Sequence, residues 1–225
     1  MPLNLSRPIL YLITRGATSE GTTPDAPEFA RILNQISAAV AAGINLIQIR
    51  EKQLTTRVLF ELVERASELT RETNTRLLVN DRADVAVGGG ADGVHLTTQS
   101  LDAATSRKIF GQEFLIGAST HSLAEARAAQ EQGADFIVLG PVFETESKKQ
   151  FGSPVGLETL SDVARDLCDF PVLALGGISA TNAVDCFAAG AQGIAGISLF
   201  GDAHNLVSVM RALRDAAKGA DQHEI

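Results

Sequence analysis

The sequence has no tryptophan, one tyrosine and only two cysteines among its 225 residues. Cys168 and Cys186 are not spaced as metal ligands are, which excludes a zinc ribbon or a disulfide framework, and we expect two buried, reduced thiols. Cations are also scarce, because 19 Lys and Arg residues face 27 Asp and Glu residues and the net charge is −8. This charge disfavours nucleic acid and anionic membranes as partners. An anionic substrate must therefore be bound by a local cluster of cations.

Long apolar runs are absent as well. No run approaches the roughly 20 residues of a membrane span. The first ten residues, MPLNLSRPIL, do not combine a basic segment with a long apolar stretch, so we expect no signal peptide, no membrane partner and a cytoplasmic location. A length of 225 residues with 45% hydrophobic residues predicts one α/β domain over residues 1–225.

A repeated pattern lies along the chain, in which a helix-like stretch ends in glycine and a short apolar run follows. The copies are AGINLIQIR, GADGVHL, GADFIVLG and GAQGIAGIS, with the glycines Gly43, Gly90, Gly133 and Gly190. Glycine ends helices in the left-handed conformation without steric cost. The runs that follow are too short for helices and too apolar for half-exposed strands, so they indicate buried parallel strands.

Four further runs, ILYLIT, LLVN, LIGAS and VLALG, bring the number of predicted strands to eight. Amphipathic stretches such as Phe29–Ala42 and Leu59–Thr70 lie between them, and a last helix is expected near Asn205–Ala217. This alternation predicts an α/β fold, a single (β/α)8 TIM barrel, with an open doubly wound sheet as the alternative. The strands are expected near residues 9–14, 46–50, 76–80, 93–96, 115–119, 136–140, 172–176 and 193–197.

Polar side chains stand at the predicted strand ends, where a barrel forms its active site. Gln48, Arg50 and Lys52 are spaced i, i+2, i+4, so an extended strand would place all three on one face. Two cations and an amide at the barrel mouth would form an anion pocket. A solvated strand end is the alternative, but the apolar residues that precede Gln48 favour burial.

Glycine and serine end the last two predicted strands. Gly176 and Gly177 follow the seventh, and Ile197 and Ser198 end the eighth. Backbone amides at these positions, together with a helix N-terminus, form the common phosphate site of barrels. The alternative is that two tight turns need glycine, and both interpretations can hold. Gly88–Gly90 precede a strand and are interpreted as a helix terminator at the opposite end.

Two histidines and one long loop complete the candidates. His95 lies within a predicted strand, where a core histidine with satisfied hydrogen bonds is one interpretation. His121 follows the fifth strand and is a candidate for proton transfer, with no functional role as the alternative. The loop Val142–Pro154 is long for this type of connection, and we expect Lys148 within it to reach an anionic group when substrate binds, with a solvated charge run as the alternative.

An ordered set of motifs, from Tyr11 to about Phe200, resembles the thiamine phosphate synthase/TenI family. These motifs are IQIREK (47–52), LVNDR (78–82), GVHL (93–96), GASTHS (117–122), GPVFETESKK (140–149), VGLE (155–158) and LALGGIS (173–179). The resemblance implies a TIM barrel that joins hydroxymethylpyrimidine diphosphate to thiazole phosphate and releases pyrophosphate. In that family the diphosphate leaves first, and the thiazole nitrogen attacks the resulting pyrimidine carbocation.

The resemblance also implies roles for individual residues. Mg2+ is expected at Asp81, since a departing diphosphate needs cations and metal where its charge develops. Those expected to act in catalysis are Arg50, Lys52, Ser119, Lys148 and His121. The pyrimidine diphosphate would be bound by Gln48, Arg50, Lys52, Asn80, Ser119 and Lys148, and thiazole phosphate by Thr145, Ser147, Gly176, Gly177, Ile197 and Ser198.

The chain departs from the family pattern at two places. Synthases usually have Gly-Gln-x-Asp after GVHL, with the Asp as second magnesium carboxylate, whereas this chain has Thr97–Ser100 and so places Ser100 at the metal. At the end of the first predicted strand, this chain has Arg15 where an Asp is frequent in the family. FETESKK also resembles the TenI branch, whose thiazole tautomerases use a histidine that aligns with His121. We expect a synthase; a tautomerase or a non-catalytic binder of thiamine intermediates is the alternative, and homo-oligomerisation stays open.

Overall fold

A computed structural model describes residues 5–145 and 153–221. In these residues eight parallel strands follow one another around a closed barrel, and β1 pairs with β8 to complete it. The predicted (β/α)8 barrel is therefore confirmed, and the open sheet is wrong. The strands are β1 (Ile9–Ile13), β2 (Leu46–Ile49), β3 (Arg76–Asn80), β4 (Gly93–Leu96), β5 (Leu115–Thr120), β6 (Phe136–Leu139), β7 (Val172–Leu175) and β8 (Gly193–Gly196).

A helix follows each strand in the described chain. Pro27 begins the first of them, where its missing N–H costs nothing. The carboxylate of Asp102 and the hydroxyl of Ser122 accept hydrogen bonds from backbone N–H groups at the starts of two others. The helices are α1 (Pro27–Ala41), α2 (Thr56–Thr70), α3 (Ala83–Gly88), α4 (Ala103–Phe110), α5 (Leu123–Glu131), α6 (Gly156–Leu167), α7 (Ala183–Ala188) and α8 (Leu206–Asp221).

The glycines of the repeat end helices as predicted. Gly43, Gly90, Gly133 and Gly190 have φ values of 77°, 76°, 86° and 90°. Each lies between a helix and the strand that follows it. Because this left-handed conformation strains residues that carry a Cβ, glycine allows the chain to turn sharply from helix to strand.

Alternate residues of each strand pack into two separate cores. Tyr11, Phe136 and Leu173 belong to the core inside the barrel. Leu10 and Ile47 belong to the larger core between the strands and the helices. The strands are therefore buried on both faces, which explains why they are almost continuously apolar in sequence.

The two cysteines have different surroundings. Cys186 is buried in α7, and burial raises the pKa of its thiol to about 12. Cys168 is exposed at the end of α6, so the expectation of a buried thiol is wrong there. Cys168 is the residue that follows α6, where the backbone leaves the helix with φ of 50°. Within the described residues no helix is long and apolar enough to cross a membrane.

Candidate active site

Parallel pairing brings all eight C-terminal strand ends to one mouth of the barrel. Asn80 is the last residue of β3, and Ser119 is the penultimate residue of β5. Thr14 follows β1, and its hydroxyl accepts a hydrogen bond of 2.8 Å from the backbone N–H of Arg50. This bond holds the start of the loop after β2 against the end of β1.

A chain of polar side chains lies inside the barrel below the mouth. The amide Nε2 of Gln48 donates to the Tyr11 hydroxyl over 2.8 Å. The same hydroxyl lies 3.2 Å from Nδ1 of His95, and Nε2 of His95 lies 2.9 Å from Oγ of Ser119. Gln48, Tyr11 and His95 are at most 2% exposed, whereas Ser119 is half-buried. Gln48 therefore lies beneath the mouth and is linked to it through Tyr11, His95 and Ser119.

Burial keeps the two ionisable side chains of this hydrogen-bonded chain, His95 and Tyr11, neutral. It lowers the pKa of His95 to about 4, although the negative charge of Asp81 acts in the opposite direction. Burial also raises the pKa of Tyr11 above its ordinary value, against a smaller lowering by the hydrogen bond from Gln48. The core interpretation of His95 is confirmed in its geometry, because the ring is buried and both nitrogens have polar partners. Its partner Ser119 nevertheless belongs to the mouth.

The segment after β2 differs from the extended arrangement expected for Gln48, Arg50 and Lys52. The strand ends at Ile49, and a hydrogen bond of 3.2 Å from Leu54 N to Glu51 O marks a turn. Lys52 lies exposed in this turn, so the argument that one strand face carries all three residues is wrong for Lys52.

Glu51 lies buried at the start of this turn and was not among the residues expected at the site. Its buried carboxylate accepts hydrogen bonds from Gly16 N at 3.0 Å, from Thr18 N at 3.3 Å and from the Thr18 hydroxyl at 2.8 Å. It thereby ties the loop after β1 to the loop after β2. A single acid between Arg50 and Lys52 was the available signal, and local spacing does not reveal its distant partners.

Asp81 lies directly after β3 with φ of 59°. Its Oδ1 accepts hydrogen bonds from Thr97 N at 3.3 Å, from the Thr97 hydroxyl at 3.1 Å and from the Ser100 hydroxyl. Its Oδ2 accepts one from Asn80 Nδ2 at 2.8 Å. The Thr97–Ser100 turn therefore folds over the carboxylate and brings Ser100 to the expected metal position.

Asp81 and Ser100 supply part of the oxygen ligands that a Mg2+ ion needs. Mg2+ prefers six oxygen ligands and is often bound by one or two carboxylates, substrate phosphates and waters. Asp81 supplies one carboxylate and Ser100 a hydroxyl oxygen beside it. No cluster of three His, Cys, Asp or Glu side chains suited to a metal occurs in the described ranges. Asp81 and Ser100 therefore suit Mg2+ together with the oxygens of a diphosphate.

An open cavity lies between the ends of β7 and β8. At Gly176 a Cβ would lie 2.5 Å from Pro141 Cβ, and at Gly177 it would lie 2.5 Å from Glu144 O. Glycine is therefore required by the close approach of the loop after β6, and it also leaves the backbone open to the cavity. The lining residues are Pro141, Thr145, Leu175, Gly176, Gly177, Ile178, Ala195, Gly196, Ile197, Ser198 and Leu199.

The expected helix N-terminus at this cavity is wrong. After Gly177 a turn precedes α7, in which Ser179 N donates to Asn182 Oδ1 over 2.7 Å. After Ser198 another turn forms, closed by Gly201 N and Ser198 O at 3.1 Å, and α8 begins only at Leu206. Among the described residues, backbone groups of turns border the cavity, and the first residues of α7 and α8 do not line it.

His121 lies exposed after β5, at the edge of the mouth. Its backbone N–H donates to Glu125 Oε2 over 2.7 Å. Its ring Nδ1 lies within hydrogen-bond distance of the Gly140 carbonyl. A carbonyl only accepts, so Nδ1 carries a proton and Nε2 is the ring nitrogen available to take up another.

Comparison with known proteins identifies the family. The profile of the family described as thiamine monophosphate synthase matches residues 10–200. The chain belongs to this family. A relative named putative thiamine-phosphate synthase, from Geobacter sulfurreducens, is 43% identical over 189 residues, which is 84% of each chain. The thiamine-phosphate synthase of Moorella thermoacetica is 39% identical over 84% of this chain and 89% of its own length.

A solved structure of the same kind agrees with the fold. Thiamine phosphate pyrophosphorylase from Pyrococcus furiosus superposes with a TM-score of 0.76 and 31% identity. The match covers 95% of this chain and 98% of that one. The family resemblance inferred from the ordered motifs is thereby confirmed.

The site residues that the family resemblance implies do not all lie together in the described structure. Gln48, Asn80 and Ser119 lie at or just below one mouth, and Asp81 with Ser100 lies at its side. Arg50 is half-buried beside the loop after β1. Ser147 and Lys148 fall outside the described residues. The substrate and metal roles of all these residues stay predictions.

Proposed function

We propose that the chain is a thiamine-phosphate synthase. It would join 4-amino-5-hydroxymethyl-2-methylpyrimidine diphosphate to thiazole phosphate and release pyrophosphate. The observation that carries the proposal is the pairing, in a member of this family, of a polar barrel mouth with a glycine-lined cavity beside it. Relatives that bear the synthase name at 37–43% identity over most of the chain support it.

The diphosphate side of the reaction needs hydrogen-bond donors and positive charge where the leaving group gathers its charge. Arg50 and Lys52 follow β2, and the Ser119 hydroxyl and the Asn80 amide lie at the neighbouring strand ends. We propose that these groups, with Lys148, bind the diphosphate. Mg2+ held by Asp81, with Ser100 beside it, would neutralise the leaving diphosphate when it is bound.

The thiazole phosphate would bind in the cavity between β7 and β8. Gly176 and Gly177 border it from one strand end, and Ile197 and Ser198 from the other. We propose that backbone amides of these turns bind the phosphate of the thiazole, with Thr145 and Ser147 on the loop after β6. The two substrates would then meet at the centre of the mouth.

The test is pyrophosphate release, measured by a coupled assay with both substrates, with each alone, and with or without Mg2+. We expect release only when both substrates and Mg2+ are present. Lys52→Ala should weaken pyrophosphate binding about tenfold or more, because a charge-assisted contact contributes about 1.5–3 kcal/mol. Binding of thiazole phosphate should stay nearly unchanged. Absence of release at saturating Mg2+ would contradict the proposed function.

A matched control is Lys218→Ala. Lys218 borders a separate cavity with Arg7 and Gln192, which precede β1 and β8, so it lies at the opposite end of the barrel. This variant removes the same charge from the chain and should leave pyrophosphate binding unchanged. Equal losses in Lys52→Ala and Lys218→Ala would indicate an effect of net charge and not of the site.

Thiazole tautomerase is the second candidate, and His121 favours it. The Gly140 carbonyl orients the ring so that Nε2 is available to move a proton. The presence of Ser100 instead of a second metal carboxylate points the same way. Isomerisation of thiazole carboxylate phosphate that is lost in His121→Ala, without pyrophosphate release, would establish this function. Ligand binding without either reaction would leave the chain a non-catalytic binder.

A further inference from the structure

Four side chains from four strands form a continuous hydrogen-bonded chain across the barrel interior. It runs from Gln48 on β2 to Tyr11 on β1, then to His95 on β4 and Ser119 on β5, with heavy-atom distances of 2.8, 3.2 and 2.9 Å. The first three residues are buried, and only Ser119 reaches the mouth. The chain therefore connects the interior to one hydroxyl of the site.

The number of protons available in this hydrogen-bonded chain determines which group donates in each of its hydrogen bonds. The Tyr11 oxygen accepts a hydrogen bond from Gln48, and its other polar contact in the described structure is Nδ1 of His95. A buried hydroxyl that lacks an acceptor is costly, so Tyr11 donates to Nδ1. A neutral imidazole that accepts at Nδ1 carries its proton on Nε2 and donates from there. Nε2 then donates to Ser119, whose own hydrogen is left to point toward the mouth.

The surrounding residues are shaped to hold these rings. Phe136 packs edge-on against Tyr11, with ring centroids 5.6 Å apart at 80°, and lies 6.0 Å from the ring of His95. A Cβ at Gly117 would lie 2.4 Å from Phe136 Cζ and 2.8 Å from Nδ1 of His95. The absence of a side chain at Gly117 therefore makes the space in which the two rings meet.

We propose that Tyr11 and His95 are positioning residues that hold the Ser119 hydroxyl as a hydrogen-bond donor toward the substrate diphosphate. The inference rests on the proposed function. Diphosphate oxygens act as acceptors, so a serine hydroxyl that donated inward to His95 would turn its lone pairs toward the anion. The hydrogen bonds that run from Gln48 to Ser119 set the orientation in which the Ser119 hydroxyl donates to the anion.

The tautomer of His95 can be measured without any substrate. Nitrogen-15 NMR of the histidine rings distinguishes the Nε2–H from the Nδ1–H form, and the His95 signals are assigned by their loss in His95→Asn. We expect the Nε2–H form at neutral pH. Observation of the Nδ1–H form would overturn the proposal, because the hydrogen bonds would then run in the reverse direction.

Two variants of His95 separate positioning from packing. Glutamine places its amide nitrogen near the position of Nε2, whereas asparagine places its own near Nδ1. We expect His95→Gln to bind inorganic pyrophosphate with Mg2+ within about threefold of the unchanged protein, and His95→Asn to bind it about tenfold more weakly. Calorimetry measures the binding, and urea unfolding checks that the two variants are equally stable. Equal losses of binding in both would overturn the proposal.

A double-mutant cycle tests whether Tyr11 acts through Ser119. Tyr11→Phe keeps the ring and removes the hydroxyl, and we expect about tenfold weaker pyrophosphate binding. In a Ser119→Ala background the same change should have no further effect. Equal effects in both backgrounds, or no pyrophosphate binding by the unchanged protein, would overturn the inference. Pyrophosphate binding without turnover of the two substrates would contradict only the proposed function.

Discussion

At the residue scale, Ser100 satisfies the carboxylate of Asp81 at the position where we propose that Mg2+ binds. Its hydroxyl donates to Asp81 and accepts a hydrogen bond of 2.7 Å from Thr97 N. A serine can do this because its oxygen both donates and accepts, whereas a carboxylate at the same place only accepts. The carboxylate of Asp81 is therefore satisfied by the protein in the absence of a metal.

Ser100→Asp should reverse this balance. Two carboxylates side by side repel each other, so we expect a lower thermal midpoint without Mg2+ and recovery when Mg2+ is added. The affinity for Mg2+ alone should rise at least about tenfold, or roughly 1.4 kcal/mol. Calorimetric titration and thermal unfolding with and without Mg2+ measure both effects. Ser100→Asn is the uncharged control, and the same Mg2+ affinity in both variants would contradict the prediction.

At the scale of elements, the loop after β6 packs directly on the end of β7. Val142 N donates to Leu175 O at 2.8 Å, and Phe143 N donates to Gly176 O at 3.0 Å. These bonds continue the pairing of the two strands beyond their ends. The cavity proposed for the thiazole phosphate is thus built by a contact between two loops, and glycine is what permits it.

Gly177→Ala tests this contact. A Cβ there would lie 2.5 Å from Glu144 O and 2.7 Å from Phe143 Cβ, and the φ of 64° is itself unfavourable for alanine. We expect a destabilisation of about 1–2 kcal/mol from the backbone conformation alone, with a further loss from the clash. Thiazole phosphate should bind at least about tenfold more weakly by calorimetry, because the loop must move.

The control for Gly177→Ala is Gly156→Ala at the start of α6. Its φ is 80°, but no atom of the described neighbouring residues lies within 4 Å of the added Cβ. This variant therefore carries the conformational cost without the close approach. Similar loss of ligand binding in the two variants would show that strain in the backbone, and not the contact between the loops, is responsible.

At the scale of the whole molecule, the closed barrel encloses an ionisable ring. His95 is 2% exposed inside a barrel whose eight strands all pair with their neighbours. Protonation of this ring is opposed by burial, which lowers its pKa to about 4 from the ordinary 6.5. Unfolding exposes the ring to water, so the stability of the whole protein depends on the protonation of His95.

Stability should therefore fall as the pH drops from about 6.5 to about 4. Above 6.5 the ring is neutral in both states and its contribution to stability is complete. Below pH 6.5 the His95 ring of the unfolded chain binds a proton. The ring of the folded chain stays neutral until the pH approaches 4. Each pH unit in this window costs about 1.4 kcal/mol, so about 2 kcal/mol is lost between pH 7 and pH 5.

Urea unfolding at pH 7 and pH 5 measures this loss, with His95→Asn as the comparison. Carboxylates contribute equally to both proteins, so the difference between their pH dependences isolates the histidine. The variant should lose about 2 kcal/mol less than the unchanged protein over the same interval. Parallel pH dependences for the two proteins would contradict the assignment of the buried, neutral ring.

The sequence by itself determined the barrel. Apolar runs of four to six residues separated by glycine-ended helices are local patterns, and each strand in the structure lies within about one residue of its expected position. Gly43 and Gly190 punctuate the chain because their conformation depends on immediate neighbours. The order of the motifs also predicted that the strand-end residues meet at one mouth, because the C-terminal ends of parallel strands in a barrel all lie at the same end.

Only the tertiary structure decided how those residues are held. Glu51 reaches Gly16 and Thr18 across more than thirty residues, and Tyr11 meets His95 across 84. Nothing in the spacing around either residue encodes such a partner. A buried carboxylate or imidazole must find hydrogen bonds wherever the folded chain supplies them. Parallel pairing brings β1 beside β2, and barrel closure places β1 across the interior from β4. The identity of each partner is thus a property of the closed sheet, because burial makes the hydrogen bond necessary and topology makes it possible.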